Sequence, residues 1–515
     1  MLLKALEKHI PSAKLLLEEN LSPLSYDAAG HWNRIDPDAF EFICVYGLSG
    51  TLYGLARAWL DEDPKRRLVF VEDQASSLSH LLEDDDAILL LNDHRVKIYF
   101  LESSLQIELI AKKVAWQAVF RKISTLLLNE GEMGIRFRER LGTFHLAAHL
   151  LLSEASDWGC SAMKNARSNH LSGRMFRSIK GLQGKFKNIP AVIVGAGPSL
   201  EKNGHLLSLL ENKALIFAGG SALNALEAEP HFAASIDKEA PYRQFKAHSF
   251  SQAPFLYQSR MNPENFSLVH GEALLMPDGN SQAINWIQGE ENLFNGGWTV
   301  GNFLTAAAVL FGCNPVIFVG MDLCYRKGKK YAHLESSIPE GLIQSLDRNG
   351  MAVWTQRDWL MAARWTVQIA EQNPDRLFID ATEGGLGFGS PILSDSLLNA
   401  IADHLKAERD LRGEVHAAIQ SLPFDFPSGR WDEWDESLRS CKKLCETLSS
   451  FASFECEKLL GEIAYHKLLN PLWEVWRPVF ERELDIDPQP LSHLDKLKLH
   501  KGLFFQQVLQ EHIHG

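Results

Sequence analysis

Apolar and polar positions along this chain follow two different periods. Short apolar runs without alternation predict strands buried on both faces, and apolar residues every three or four positions predict helices. Phe42–Tyr46 and Arg67–Val71 read as strands around a helical run that ends near Leu60, the start of a βαβ series. Ile88–Leu91 and Val96–Phe100 read as further strands of the same sheet. From Ile107 to Lys180 the period becomes helical, most regularly over Arg136–Leu152. A second strand series then runs through Ala191–Val194, Ala214–Phe217, Phe232–Ile236, Pro254–Tyr257, Val316–Val319 and Leu377–Ile379, with helices between most of them. Beyond residue 395 no strand is expected. Leu397–Leu411, Trp431–Glu455 and Leu459–Trp476 have helical spacing, their tryptophans read as core, and Pro471 and Pro478 are expected to kink or end segments.

This pattern predicts an α/β protein in three parts. Residues 1–185 form a Rossmann-like N-terminal domain with a helical extension, and the boundary falls in the glycine- and lysine-containing stretch 180–188. Residues 186–395 form a central doubly wound α/β domain, and residues 396–515 a helical C-terminal domain. A length of 515 residues suits more than one core.

Composition narrows the function classes. The net charge is −13 and no Lys/Arg-rich run occurs, which argues against an extended nucleic-acid footprint. The longest apolar run, Phe303–Cys313, is too short to span a bilayer, and the N-terminal residues lack the pattern of a signal peptide. Seven cysteines make no disulfide framework, and Cys441, Cys445 and Cys456 lack partners at zinc spacing, so they read as buried thiols. A cytoplasmic setting is expected.

The candidate chemistry gathers at strand ends. In Ala191–Leu200 a β-branched strand runs into Gly195 and Gly197, then Pro198 and Ser199 at a helix start. Glycines permit a tight turn and close backbone approach, and a helix start favours an anion. A phosphate or nucleotide seat is one reading and a plain tight turn the other, since the third glycine of G-x-G-x-x-G and a Walker lysine are both missing. Gly219–Ser221, Asp237 and Gly320–Asp322 also follow strands, where ligands of such sheets bind. In the N-terminal part, Glu72 and Asp73 end a strand after the turn Gly47–Gly50; an acid there can hold a ribose, but the loop is poor for phosphate and a structural role is preferred.

Four segments carry a resemblance: GAGPSL (195–200), PHFAASIDKE (230–239), GGWTVGNFLTAAAVLFGCNPVIFVGMDL (296–323) and FIDATEGGLGFG (378–389). Together they resemble the central domain shared by motility accessory factors, which are flagellin glycosyltransferases, and the archaeal 6-hydroxymethylpterin diphosphokinases. The VYGLSG and FVED segments are similar to the domain that precedes it in motility accessory factors. The resemblance implies a sialyltransferase-like domain that uses a CMP-activated nonulosonic sugar. It implies that Gly195, Gly197, Pro198 and Ser199 seat the nucleotide phosphate and that Ser221 and Asp237 line the crevice. Gly296, Gly297 and Thr299 would meet the nucleotide from a helix start, with Trp298 where the family has serine. It makes His333 the base for an acceptor hydroxyl, an imidazole being suited to that role. Asp322 is a ligand or a loop-fixing carboxylate, and Glu383 a ligand or part of a glycine turn.

Three functions are open at this point. One is metal-independent transfer of a sugar from a CMP-sugar to Ser/Thr hydroxyls of a protein acceptor such as a flagellin-like protein. A second is pyrophosphoryl transfer from ATP to a hydroxymethylpterin, with Mg²⁺ held by carboxylates such as Asp237 and Asp322. The third is a non-catalytic nucleotide-binding module. The extra domains on either side of the central one favour the first.

Overall fold

The computed structural model describes residues 2–17, 26–173, 175–227, 229–239, 252–279, 281–289, 294–325, 329–331, 334–335, 341–425, 429–447, 457–484 and 492–514. They divide into two compact units, Met1–Ala155 with Trp473–Leu503, and Ser156–Leu472 with Phe504–Gly515.

The first unit is built on a four-stranded parallel sheet: β1 (Phe42–Tyr46), β2 (Arg67–Glu72), β3 (Val96–Phe100) and β4 (Ile123–Leu127), in the order β3-β2-β1-β4. Successive side chains of a strand point to opposite faces. Ile43 and Val45 therefore pack on one side with Leu52, Ala56 and Leu60 of α1 (Gly50–Glu62). Phe42, Cys44 and Tyr46 pack on the other with α2 (Ile107–Gln117) and α3 (Glu132–Glu154). Burial of both faces explains why these strands show no alternation. The run expected as a strand at Ile88–Leu91 is instead a helix, Ala87–Asn92. Its burial has helical spacing, with Ala87, Leu90 and Leu91 inside and Leu89 outside, and leucine tolerates either state. β4 lies inside the stretch expected to be helical.

The second unit carries α4 (Cys160–Leu171) and a ten-stranded sheet. Its strands are β5 (Phe176–Ser178), β6 (Ala191–Val194), β7 (Leu215–Gly219), β8 (Phe232–Ser235), β9 (Phe255–Gln258), β10 (Ala273–Met276) and β11 (Val316–Val319). Two small hairpins follow, β12 (Lys329–Tyr331) with β13 (Leu334–Glu335) and β14 (Ile343–Leu346) with β15 (Ala352–Thr355). β16 (Phe378–Asp380), β17 (Leu393–Ser394) and β18 (Phe424–Asp425) complete the set. The sheet order is β17-β16-β11-β6-β7-β8-β9-β10-β5-β18, parallel except for β18. From β6 the chain builds outward through β7 to β10, then returns to lay β11 on the other side of β6. The switch point of the topology therefore lies between β6 and β11. One face is covered by α5 (Val300–Phe311), whose Phe303, Leu304, Ala307 and Phe311 meet Phe217, Phe232 and Phe318.

The boundary expected at 185/186 lies inside this unit. Asn169 of α4 donates to the carbonyls of Ser259 and Met261, and β5 pairs with β10, so residues 156–185 belong with the second sheet. The C-terminal helices are not a separate domain either. Leu397–His404 and Leu411–Gln420 pack on the ten-stranded sheet. Trp473–Leu503 joins the first unit, where Trp476 Nε1 donates to Ala155 O and Arg482 to Val119 O. Pro478 sits inside the helix Asn470–Leu484 without ending it. Among the described residues, no helix is long and apolar enough to cross a membrane.

Candidate functional site at the switch point

The ends of β6 and β11 are stitched together by backbone hydrogen bonds. Gly195 N donates to Val319 O at 2.8 Å, and Gly197 N to Gly320 O at 2.8 Å. A Cβ on Gly195 would collide with Gly320 O, and one on Gly197 with the Asp322 carboxylate. That carboxylate lies in the turn itself: Ser199 donates to Asp322 Oδ2 from its N–H at 3.1 Å and from its Oγ at 2.6 Å. Asp322 is 1 % exposed and Ser199 is also buried.

These contacts correct the expectation for the glycine turn. The donors of Gly195, Gly197 and Ser199 serve the sheet and Asp322, and the fold supplies the negative charge that a ligand was expected to bring. The glycines are demanded by β11 and Asp322. The helix that follows is a single turn, Leu200–Asn203, continued as 3-10 turns to Leu210, so it lacks the aligned dipoles of a longer helix. Of the two roles open to Asp322, the structure fits the loop-fixing one. Gly195 through Pro198 stay half-exposed.

The other expected residues fall on the same carboxyl edge. Ser221 lies half-buried in the 3-10 turn after β7, and Asp237 is exposed two residues past β8. Glu383 follows β16 at φ +57°, and its Oε1 accepts from Leu397 N at 3.0 Å and Asn203 Nδ2 at 3.4 Å. Gly385 has φ +73°, and a Cβ there would strike the Asp322 backbone. This is the turn reading of that segment. His333 lies outside the described residues.

The edge also tests the magnesium reading. Asp322 follows β11 and Asp237 follows β8, which are three strand spacings apart, about 14 Å. Mg²⁺ takes its ligands at about 2.0–2.1 Å, so these two carboxylates do not fit a common ion. Among the described residues no cluster of three or more His, Cys, Asp or Glu could hold a metal.

Another anion-compatible feature opens at the switch point, the start of α5. A Cβ on Gly219, at the end of β7, would collide with Val300 Cγ2, and one on Gly301 would meet Met321 Cε, just past β11. The first turn of α5 thus sits over the end of β6. Its entry is braced from below. Asn302 is fully buried; its Oδ1 accepts from Trp298 N at 3.1 Å, and its Nδ2 donates to Thr366 Oγ1 at 3.0 Å. Asn295 Oδ1 accepts from Gly297 N at 3.1 Å and Trp365 Nε1 at 3.0 Å. Gly297 takes φ +69°, and Thr299 Oγ1 caps the helix by accepting from Asn302 N at 3.3 Å. The N–H groups of residues 300 and 301 precede the intrahelical ladder. A twelve-residue helix presents about half a positive charge at this end. Gly296, Gly297 and Thr299 are therefore brought together at the start of α5. Asn295 and Asn302, which hold them there, were not singled out in the sequence, where two asparagines around a glycine pair were the only signal.

Residues 162–328 match the family model described as 6-hydroxymethylpterin diphosphokinase MptE-like. No curated protein matches the chain. Among solved structures, the MAf glycosyltransferase from Magnetospirillum magneticum AMB-1 matches with a TM-score of 0.53 at 17 % identity, over 98 % of this chain and 83 % of that one. At that identity the likeness is one of fold. The chain thus carries an MptE-like domain within a whole-chain fold similar to that of a motility accessory factor.

Proposed function

We propose that the chain is a glycosyltransferase that moves a nonulosonic, sialic-acid-like sugar from a CMP-sugar to Ser/Thr hydroxyls of a protein acceptor such as a flagellin-like protein. The observation that carries the reading is the first turn of α5 over β6, at the switch point of a parallel sheet. The likeness in fold to a solved structure named as a glycosyltransferase supports it, because that likeness runs through both units and not the MptE-like segment alone.

In this proposal the phosphate of the donor lies against the N–H groups at the start of α5, flanked by the half-exposed backbone of Gly195–Pro198. Ser221 and Asp237 line the crevice beyond. The bond between the anomeric carbon and the phosphate oxygen breaks, and the leaving CMP gains negative charge that the helix start stabilises. A bond forms from the acceptor oxygen to the anomeric carbon, and the acceptor proton passes to His333. The diphosphokinase reading is not adopted, because Asp237 and Asp322, the carboxylates named for its Mg²⁺, do not meet and the described residues hold no metal cluster of three or more side chains.

Calorimetry of the full chain tests the choice. CMP is expected to bind in EDTA. Binding of Mg-ATP but not CMP would turn the reading to the kinase, and binding of neither would leave a non-catalytic module. His333→Ala should lower turnover about 10²–10⁴-fold with CMP affinity retained; equal losses in both would remove its role as base.

A further inference from the structure

His145 and His149 stand one helical turn apart on α3, so both side chains leave the same face of the helix. Their rings converge. The ring centres are 4.6 Å apart with the planes at 83°, and the two Nε2 atoms lie 3.3 Å from each other. The turn that follows α2 meets them there: Ala118 O lies 3.2 Å from His145 Nε2, and Phe120 N 3.4 Å from His149 Nε2. All of these residues belong to the first unit, and both histidines are half-buried.

As hydrogen bonds these contacts are long. Such bonds to nitrogen or oxygen cluster near about 2.9–3.0 Å and run out to about 3.2 Å. The same spacing is normal for ligands that share a metal ion. Two atoms at about 2.0–2.1 Å from a tetrahedral ion stand about 3.3–3.4 Å apart. Ala118 O keeps that spacing from His145 Nε2 and offers an oxygen. It already accepts from Arg121 N at 3.0 Å, which leaves its second lone pair for the rings.

The frame around the rings is held from several sides. Phe120 takes φ +60°, a conformation costly for a bulky residue, and its ring packs edge-on against His149 at 5.3 Å. Arg482 pins the same turn by donating to Val119 O at 2.7 Å. Val119 itself packs on Ala148 and Leu152 of α3.

We infer that His145 and His149 bind a late first-row transition ion such as Zn²⁺, with Ala118 O as third ligand and a water as fourth. Each neutral imidazole ligates through Nε2 and keeps its proton on Nδ1. Imidazole nitrogen favours zinc, nickel and copper, whereas Mg²⁺ and Ca²⁺ take oxygen. With only two side-chain ligands, the ion is an exchangeable clamp between α3 and the turn after α2. The inference is independent of the CMP-sugar reading, which rests on the second unit.

Calorimetry of the chelator-treated full chain should show a zinc site that Mg²⁺ does not occupy. His145→Gln and His149→Gln should each weaken it about tenfold or more, since even outer-shell partners of a metal are worth about 10–100-fold. X-ray absorption on the unaltered chain with one equivalent of zinc needs no variant. It should show four nitrogen or oxygen neighbours at about 2.0–2.1 Å, two of them imidazoles. A sulfur shell at about 2.3 Å would place the ion on cysteines and overturn the inference. So would unchanged zinc affinity in either variant, no binding at a few equivalents of zinc, or Mg²⁺ binding as tightly at the same site.

Discussion

The two parallel sheets solve the same local problem with the same device. In each, a strand at the switch point runs into a glycine turn, and an acid from the end of a neighbouring strand fills that turn. In the first unit the acid is Glu72, which accepts from Leu48 N at 2.8 Å, Asp73 N at 2.8 Å and Gln74 N at 2.9 Å, with the Tyr26 hydroxyl at 3.2 Å. In the second it is Asp322, held by Ser199. They differ in what stands beside the turn. Glu72 and Leu48 are buried, and a Cβ on Gly47 would press on Leu128. The helix after that turn, α1, is capped by Ser49 as α5 is by Thr299, so the cap does not separate them. In the second unit the turn leads only to a single helical turn, while the start of α5 opens over the same strand. A glycine turn is thus part of the scaffold in both sheets, and the second sheet differs by a second helix start.

The largest expected effect is on Glu72. Glu72→Ala strands three N–H donors and leaves the Tyr26 hydroxyl only Ser77, and should cost the first unit about 3–5 kcal/mol in urea unfolding. A loss under about 1 kcal/mol would mean that water reaches these donors and that the turn is open, which would break the contrast with the second unit.

Next in size is a pH effect that separates the units. His231 accepts from Ile216 N through Nδ1 at 3.0 Å, and burial pushes its pKa down to about 4. Between pH 6.5 and 4 the unfolded chain binds a proton that the folded chain refuses, so stability rises with pH there. The second unit should lose up to about 3 kcal/mol as pH falls across that window. Burial pushes the Glu72 carboxyl up, the opposite sign, so the first unit should not follow. His231→Asn should reduce the slope for the second unit, to which His170 and His512, also pushed down by burial, contribute the rest; an unchanged slope would place its origin elsewhere.

Much of the fold was legible because sheets buried on both faces leave a plain signature. Phe42–Tyr46, Val96–Phe100, Ala191–Val194 and Val316–Val319 have the bounds their apolar runs suggest. The hidden elements have physical reasons. Ile88–Leu91 is a run that periodicity alone cannot assign, and β5 is only three residues long and depends on β10 for its pairing. For the site, the clustering at carboxyl ends was legible, since strand order follows from connection rules. What filled the turn was not. Whether Asp322 faces a ligand or Ser199 depends on the register between β6 and β11, which local pattern does not contain.

Asp322→Asn sharpens the contrast from the other side. The amide keeps an acceptor for Ser199 but removes the charge, and the second unit should lose about 1–2 kcal/mol in urea unfolding. CMP affinity should stay within about twofold. A gain of tenfold or more, about 1.4 kcal/mol, would mean that the carboxylate competes with the phosphate, and would return the anion seat to the glycine turn.

The smallest effect is the most discriminating, because it compares like with like. Ser49 and Thr299 are both helix caps at a switch point: Ser49 Oγ accepts from Leu52 N at 3.2 Å, and Thr299 Oγ1 accepts from Asn302 N at 3.3 Å. Replacing either by alanine should cost about 1 kcal/mol of stability in its own unit. If only the second helix start receives a ligand, the matched losses in stability will come with unmatched losses in binding. Thr299→Ala should weaken CMP by about three- to tenfold as the first turn of α5 loosens, and Ser49→Ala should leave it unchanged. Equal, small effects on CMP from both substitutions would erase the distinction between the sheets and with it the assignment of α5 as the phosphate seat.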